Sequence, residues 1–187
     1  MVLRELNRLN IDIGILTESK LTHGIHTRRA FGYNVYAMEA ISPHKGGVAL
    51  IWRDSFSWSL ESERLHGPNV VSFELRTTVH RYLVVGAYIS SSEEDGSTLD
   101  YIQCAIDRRP GLRTILLGDF NVDFQEPGAS SHKAEILTSI AGLGLDNGLD
   151  NFHLSCRHYE GYTWKQLRDG DLVTSRCDNS IFVQLSS

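Results

Sequence analysis

Short apolar runs separated by polar breaks dominate this chain, and their spacing predicts mostly strands. The first segment, 2–9, places Leu3, Leu6 and Leu9 at helical spacing, so it reads as the end of an amphipathic helix. Residues 11–16 are apolar at nearly every position, which predicts a strand buried on both faces. Residues 22–34 are polar and rich in histidine and read as a loop. Gly46-Gly47 leads a strand over 46–52. The runs at 58–61, 70–75 and 81–89 read as further strands, whose short links favour antiparallel pairing. An acidic loop at 90–96 precedes a helix that Ser97 can cap, with Leu99, Ile102 and Ile106 on one face and Pro110-Gly111 ending it. Ile115-Leu116-Leu117 predicts a buried strand, and a second helix is expected near 132–141 with Ile136, Leu137 and Ile140 inward. Segments 161–164 and 177–185 are the last strand candidates. Strand clusters interrupted by few helices indicate an α/β or α+β class, and no stretch has linker composition, so one domain over 1–187 is expected.

Composition narrows this picture modestly. With 187 residues, 41% of them hydrophobic and 22% charged, the chain can bury a substantial core and looks like an ordinary globular protein. A net charge of −5 provides no overall pull toward nucleic acid. Binding DNA would need a local basic strip, for which Arg28, Arg29, Arg108, Arg109 and Arg113 are the candidates. Cys104, Cys156 and Cys177 are scattered and form no C-x-x-C pair, which argues against a disulfide framework and against structural zinc. A reduced, intracellular setting fits this cysteine usage, and a nuclear location is compatible with it. No signal-peptide pattern and no apolar run of membrane-spanning length is present, so secretion and membrane insertion are disfavoured.

Candidate chemistry concentrates where apolar runs stop on polar residues. The run ending in Gly118-Asp119-Phe120-Asn121 leaves the core on an acid and an amide, and strand alternation would point Asp119 and Asn121 the same way. A carboxylate there can bind a metal or take a proton, and an amide can donate to a phosphoryl oxygen. The alternative is a plain strand-ending turn, for which Gly, Asp and Asn are also suited. Glu18 follows the 11–16 run directly, and Tyr88 ends the 81–89 run on a polar loop. His23 and His26 lie three apart in a loop, and the chain holds no H-E-x-x-H pattern, P-loop or G-x-S-x-G elbow.

Taken with Ile15-Leu16-Thr17-Glu18-Ser19-Lys20-Leu21, Gly46-Gly47-Val48-Ala49-Leu50, Val84-Val85-Gly86-Ala87-Tyr88, Tyr162-Thr163-Trp164 and Ser175-Arg176-Cys177-Asp178, the Gly-Asp-Phe-Asn element resembles the ordered motif set of the endonuclease/exonuclease/phosphatase superfamily. The flavour is nearest the endonuclease domain of non-LTR retrotransposons, which is itself similar to abasic-site endonucleases. The resemblance implies a four-layer αββα sandwich of two mainly antiparallel sheets with helices outside. It also implies metal-dependent phosphodiester hydrolysis, with DNA as substrate and Mg²⁺, or Mn²⁺ in its place, as cofactor. In this reading Glu18 is the metal ligand, Asp119 orients or deprotonates the attacking water, Asn121 bonds the phosphate or Asp119, and Tyr88 lies near the phosphate. Asp178 would hold a histidine near the domain's end.

Two family elements have no counterpart in these residues: an N-terminal strand carrying a metal-assisting Asn, and a C-terminal Ser-Asp-His segment, with no histidine after Asp178. The expectation is therefore a domain lacking both terminal strands, with activity impaired accordingly. Two rivals stand beside the endonuclease: a phosphatase of the same fold acting on small or lipid phosphates, which the acidic charge favours, and a non-catalytic relic or interaction domain.

Overall fold

The computed structural model describes residues 2–8, 10–21, 26–55, 59–90, 96–122, 131–147, 164–168, 171–175 and 179–183. Helix α1 (Val2–Arg8) leads into strand β1 (Ile13–Leu16), followed by β2 (His26–Ala30), β3 (Tyr33–Ala37) and β4 (Ala49–Arg53). These form a four-stranded antiparallel sheet in the order β1-β4-β3-β2. Strands β5 (Ser59–Gly67), β6 (Val70–Arg76), β7 (Arg81–Tyr88), β8 (Arg113–Asp119), β9 (Asp146–Asn147) and β12 (Asn179–Val183) form a six-stranded sheet in the order β5-β6-β7-β8-β12-β9. Helix α2 (Gly96–Asp107) carries the chain from β7 to β8, the one parallel pair among these neighbours, and α3 (Ser131–Gly142) follows β8. Strands β10 (Trp164–Arg168) and β11 (Asp171–Ser175) make a separate antiparallel hairpin.

The layers follow from strand alternation. Ile13, Ile15, Tyr36, Leu50 and Trp52 of the small sheet meet Phe73, Leu75, Tyr82, Val84, Ile115 and Leu117 of the large one. The intervening residues of β7 and β8, Leu83, Val85, Ala87 and Leu116, turn to the other face and pack on Ile102 and Ala105 of α2 and Ile136 and Ile140 of α3. On the outer face of the small sheet, Leu3 of α1 shares an apolar pocket of about 330 Å³ with Leu16, Val35 and Ile51. The result is the expected helix–sheet–sheet–helix sandwich. Each fully buried Leu, Ile or Phe in it contributes roughly 1.5–3 kcal/mol.

Buried polar residues on the helix-facing side of β6 are all engaged. Ser72 lies 2.7 Å from Nε2 of His66. Glu74, with a side chain only 6% exposed, accepts from the guanidinium groups of Arg81 and Arg109. Burial by itself would raise the Glu74 pKa, but the bonds and charges of Arg109 and Arg81 outweigh it and hold the carboxyl below its ordinary range.

Several elements differ from the sequence pattern. The segment expected as a loop holds β2 and the start of β3, joined by a tight turn in which Phe31 (φ 53°) and Gly32 (φ 78°) are both left-handed. Among the described residues, edge strand β2 pairs with β3 alone, so its polar sequence carries no periodicity signal. Strand β1 is half-buried rather than enclosed, because it too lies at an edge. Strand β11 was not foreseen, and helix α2 begins at Gly96, which puts Ser97 inside its first turn. Of the arginines offered for a basic strip, Arg29, on β2, bonds Asp54, and Arg109, after α2, reaches Glu74 in another layer.

Candidate active site

The C-terminal ends of β1, β7 and β8 meet at one edge of the two sheets. Beyond β1 the backbone turns through Glu18 (φ 50°) and Lys20 (φ 55°), both left-handed, and runs beside the loop that precedes β4. Ser19 N–H donates to Gly47 O at 3.0 Å and Lys20 N–H to Gly46 O at 3.2 Å. Gly47 has φ +87°, and a Cβ on it would stand 2.5 Å from Ser19 Oγ and 3.0 Å from Ala40 Cβ, so glycine is required where the two segments touch.

The Glu18 carboxylate is held from two sides. Tyr88 Oη donates to its Oε1 at 2.7 Å, across 70 positions of sequence, and Lys20 Nζ lies 3.6 Å from its Oε2. The Tyr88 ring is 6% exposed and packs with Val48, Val71, Ile15 and Tyr36, which fixes where the phenol can reach. In the parallel register Tyr88 is the direct partner of Asp119. Glu18, two residues past β1, is thereby bonded to Tyr88 at the end of β7, whose register partner on β8 is Asp119.

Asn121 joins them by a route other than strand alternation. Strand β8 ends at Asp119, and Asn121 is left-handed (φ 50°), so the two side chains are not set parallel by a common strand. Asp119 Oδ1 instead accepts the Asn121 backbone N–H at 3.1 Å, closing a turn on itself. The Asn121 side-chain amide donates to Ile89 O at 2.8 Å, while Ile89 N–H donates to Asp119 O at 2.9 Å. Asn121 thus bonds Asp119 through its backbone N–H, while its side-chain amide braces the residue after Tyr88.

Asp178, Arg176, Tyr162 and Thr163 lie outside the described residues; Asn179, next in the chain after Asp178, is the register partner of Asp119. Sequence reasoning missed Asn69. It is 2% exposed, its Oδ1 accepts Gly47 N–H at 3.3 Å, and its carbonyl accepts Tyr88 N–H at 3.0 Å. This one residue ties the glycine loop beside Glu18 to the strand end bearing Tyr88. The turn chemistry of Gly67-Pro68-Asn69 was its only signal.

The donors here are hard oxygens, the carboxylates of Glu18 and Asp119 among them. Among the described residues no group of three or more His, Cys, Asp and Glu side chains gathers into a cage. That donor set fits a cation such as Mg²⁺, which commonly takes one or two protein carboxylates and completes its shell with water. Ser19 Oγ, buried beside Glu18 without a hydrogen-bond partner among the described residues, leaves one more oxygen uncommitted there.

The architecture is that of a nuclease/phosphatase-type α/β sandwich. The chain belongs to the Endonuclease/Exonuclease/phosphatase family, whose profile matches residues 1–170. Enzymes of this family are hydrolases, endonucleases and phosphodiesterases among them, and generally depend on a divalent metal. No curated protein matches the sequence significantly. Among solved structures, the endonuclease domain of TRAS1, a telomere-specific non-LTR retrotransposon, is similar with a TM-score of 0.66 at 17% identity, over 97% of this chain and 77% of that one. An AP endonuclease from Archaeoglobus fulgidus has a TM-score of 0.64 at 16% identity, over 98% of this chain and 80% of that one. D. rerio TDP2 complexed with single-strand DNA product has a TM-score of 0.61 at 14% identity, over 98% and 74%. At these identities the likeness is one of fold. Among the described residues no helix is long and apolar enough to cross a membrane.

Proposed function

We propose that this chain hydrolyses phosphodiester bonds in DNA, as an endonuclease of the retrotransposon type, with Mg²⁺ held at Glu18. The observation that carries the reading is the convergence at one sheet edge: Tyr88 Oη on Glu18 at 2.7 Å, and Tyr88 in register with Asp119. Glu18 would hold a divalent cation, which would supply positive charge opposite that developing on the phosphoryl oxygens. Asp119 accepts a proton from the attacking water as the water oxygen bonds to phosphorus; the P–O ester bond breaks, and the leaving alkoxide takes its proton from solvent. Asn121 keeps Asp119 in place through its backbone N–H and its brace on Ile89. Tyr88 holds Glu18 and presents a phenol edge to the phosphate. Asp178 is assigned to this set by the motif resemblance alone.

The test is nicking of supercoiled plasmid with Mg²⁺, Mn²⁺ or chelator. Wild-type protein should nick in either metal and stop in chelator, and Asp119→Ala should be inactive with an unchanged circular dichroism spectrum. Release of inorganic phosphate from small or lipid phosphates without plasmid nicking would replace this reading by the phosphatase one. Nicking that persists in Asp119→Ala would refute the mechanism.

A further inference from the structure

We propose that the buried side chain of Asn69 is a positioning residue for the cation site, acting on Glu18 through the glycine loop; this rests on the reading above that Glu18 holds the metal. Glu18 and Gly47 lie on loops of the small sheet, whereas Asn69 and Tyr88 lie at one end of the large sheet. A hydrogen bond crosses between the layers at each pair: Tyr88 Oη to Glu18 Oε1 at 2.7 Å, and Gly47 N–H to Asn69 Oδ1 at 3.3 Å. Ser19 N–H on Gly47 O and Tyr88 N–H on Asn69 O, both at 3.0 Å, join those two bonds into a ring. The circuit runs from the Glu18 carboxylate through Tyr88, Asn69 and Gly47 back to the residue after Glu18.

The two halves of Asn69 do different things. Its main chain is fixed by the β6–β7 ladder, in which Val70 pairs with Ala87 and Tyr88 N–H bonds the Asn69 carbonyl one step on. Its side chain reaches from that fixed point to a loop outside the strands. Gly46 and Gly47 there are buried and left-handed (φ +83° and +87°), and a Cβ on Gly46 would stand 2.7 Å from Asn69 Oδ1. The amide therefore fits its place closely.

Removing Oδ1 acts on one side of the ring only. Gly47 N–H becomes a buried donor without this acceptor, and the loop must shift toward water to satisfy it. Gly47 O and Gly46 O, which hold Ser19 N–H and Lys20 N–H, shift with it. Glu18 then moves against a Tyr88 that the strand ladder and its packed ring keep in place. A small cation that demands near-ideal octahedral geometry tolerates such a displacement poorly.

The experiment measures Mn²⁺ binding to the DNA-free chain by electron paramagnetic resonance, with urea midpoints, and kcat and KM for plasmid nicking in Mg²⁺. Asn69→Ala should weaken Mn²⁺ binding about ten-fold and lower kcat by a similar factor, the low end of what losing an outer support of a metal ligand costs. KM for DNA should stay within about two-fold of wild type, since no substrate contact is removed. Asn69→Asp keeps an acceptor oxygen for Gly47 N–H and should bind Mn²⁺ at least as tightly as wild type. Ser72→Ala isolates a loss of stability alone: it removes a buried hydroxyl 2.7 Å from His66 Nε2, on the helix-facing side of β6. It should lower the urea midpoint yet leave Mn²⁺ affinity and kcat unchanged. Mn²⁺ binding by Asn69→Ala within about two-fold of wild type overturns the positioning role, as does an equal loss in Ser72→Ala or in Asn69→Asp. Under any of these, a wild-type chain that binds Mn²⁺ more tightly than Glu18→Gln keeps the metal reading. Wild-type protein that binds Mn²⁺ no better than Glu18→Gln refutes that reading, and the proposal with it.

Discussion

Replacing Gly118 with alanine asks whether close contact between β7 and β8 is what aligns Tyr88 with Asp119. Gly118 is the register partner of Ala87, one step before the Tyr88–Asp119 pair. A Cβ at Gly118 would stand 1.8 Å from Ala87 O and 2.8 Å from Ala87 C, where ordinary contact is 3.4–4 Å. The obstacle is backbone, so no side-chain rotation relieves it, and the two strands must separate by more than an ångström. Forcing an extra methyl into a packed site costs typically 1–3 kcal/mol, and weakening one or two ladder hydrogen bonds adds about 1 kcal/mol each. These sum to about 2–5 kcal/mol, and we expect a loss of about 3 kcal/mol. With a urea dependence of about 2 kcal/mol per molar, the unfolding midpoint should fall by about 1.5 M. Whatever fraction folds should cleave about 10²-fold more slowly, because an ångström of misplacement is enough to spoil catalytic geometry. Gly142→Ala is the internal control: nothing lies within 4 Å of its would-be Cβ at the end of α3, so its midpoint should stay put or rise slightly. Urea titrations followed by circular dichroism read both. A Gly118→Ala midpoint within about 0.3 M of wild type, with kcat retained, would refute the idea that this contact sets the site.

Tyr88→Phe removes the hydroxyl that donates to Glu18 at 2.7 Å while keeping the buried ring, so the fold should hold and kcat should fall by about ten-fold, consistent with one bond to a charged group; an unchanged kcat excludes a role for the phenol. Lys20→Met removes the ammonium 3.6 Å from Glu18 Oε2, and Mn²⁺ binding followed by electron paramagnetic resonance should tighten several-fold, modest because both side chains are about half exposed. Weaker binding would instead mark Lys20 as a support for Glu18. Glu74 gives a pH prediction. Because Arg109 and Arg81 depress its folded-state pKa below the unfolded value, its contribution is complete above about pH 5 and is lost as the pH falls through the folded value. Glu74→Gln should therefore cost about 2 kcal/mol at pH 7, and the gap to wild type in urea midpoints should close on acidification; a gap that widens toward acid would show the sign to be wrong.

Much of this protein is written in local order. Mostly apolar runs at 70–75, 81–89 and 115–117 became β6, β7 and β8 because strands at the centre of a sheet bury side chains on both faces, with Ser72 and Glu74 of β6 the polar exceptions. The motif order placed Glu18, Tyr88 and Asp119 just where strands leave the core, and the family and sandwich follow from that order. Polar strand β2 left no such trace, since an edge strand owes its place to one neighbour rather than to burial. Nor could periodicity show that Asn121 turns left-handed and braces Ile89, that buried Glu74 is held by two arginines from different elements, or that Asn69 ties Gly47 to Tyr88. Those facts depend on which backbone and side-chain groups meet once two sheets close on each other. Alternation along a strand records how deeply each residue is buried; only the packed sheets decide which polar group each one finds there.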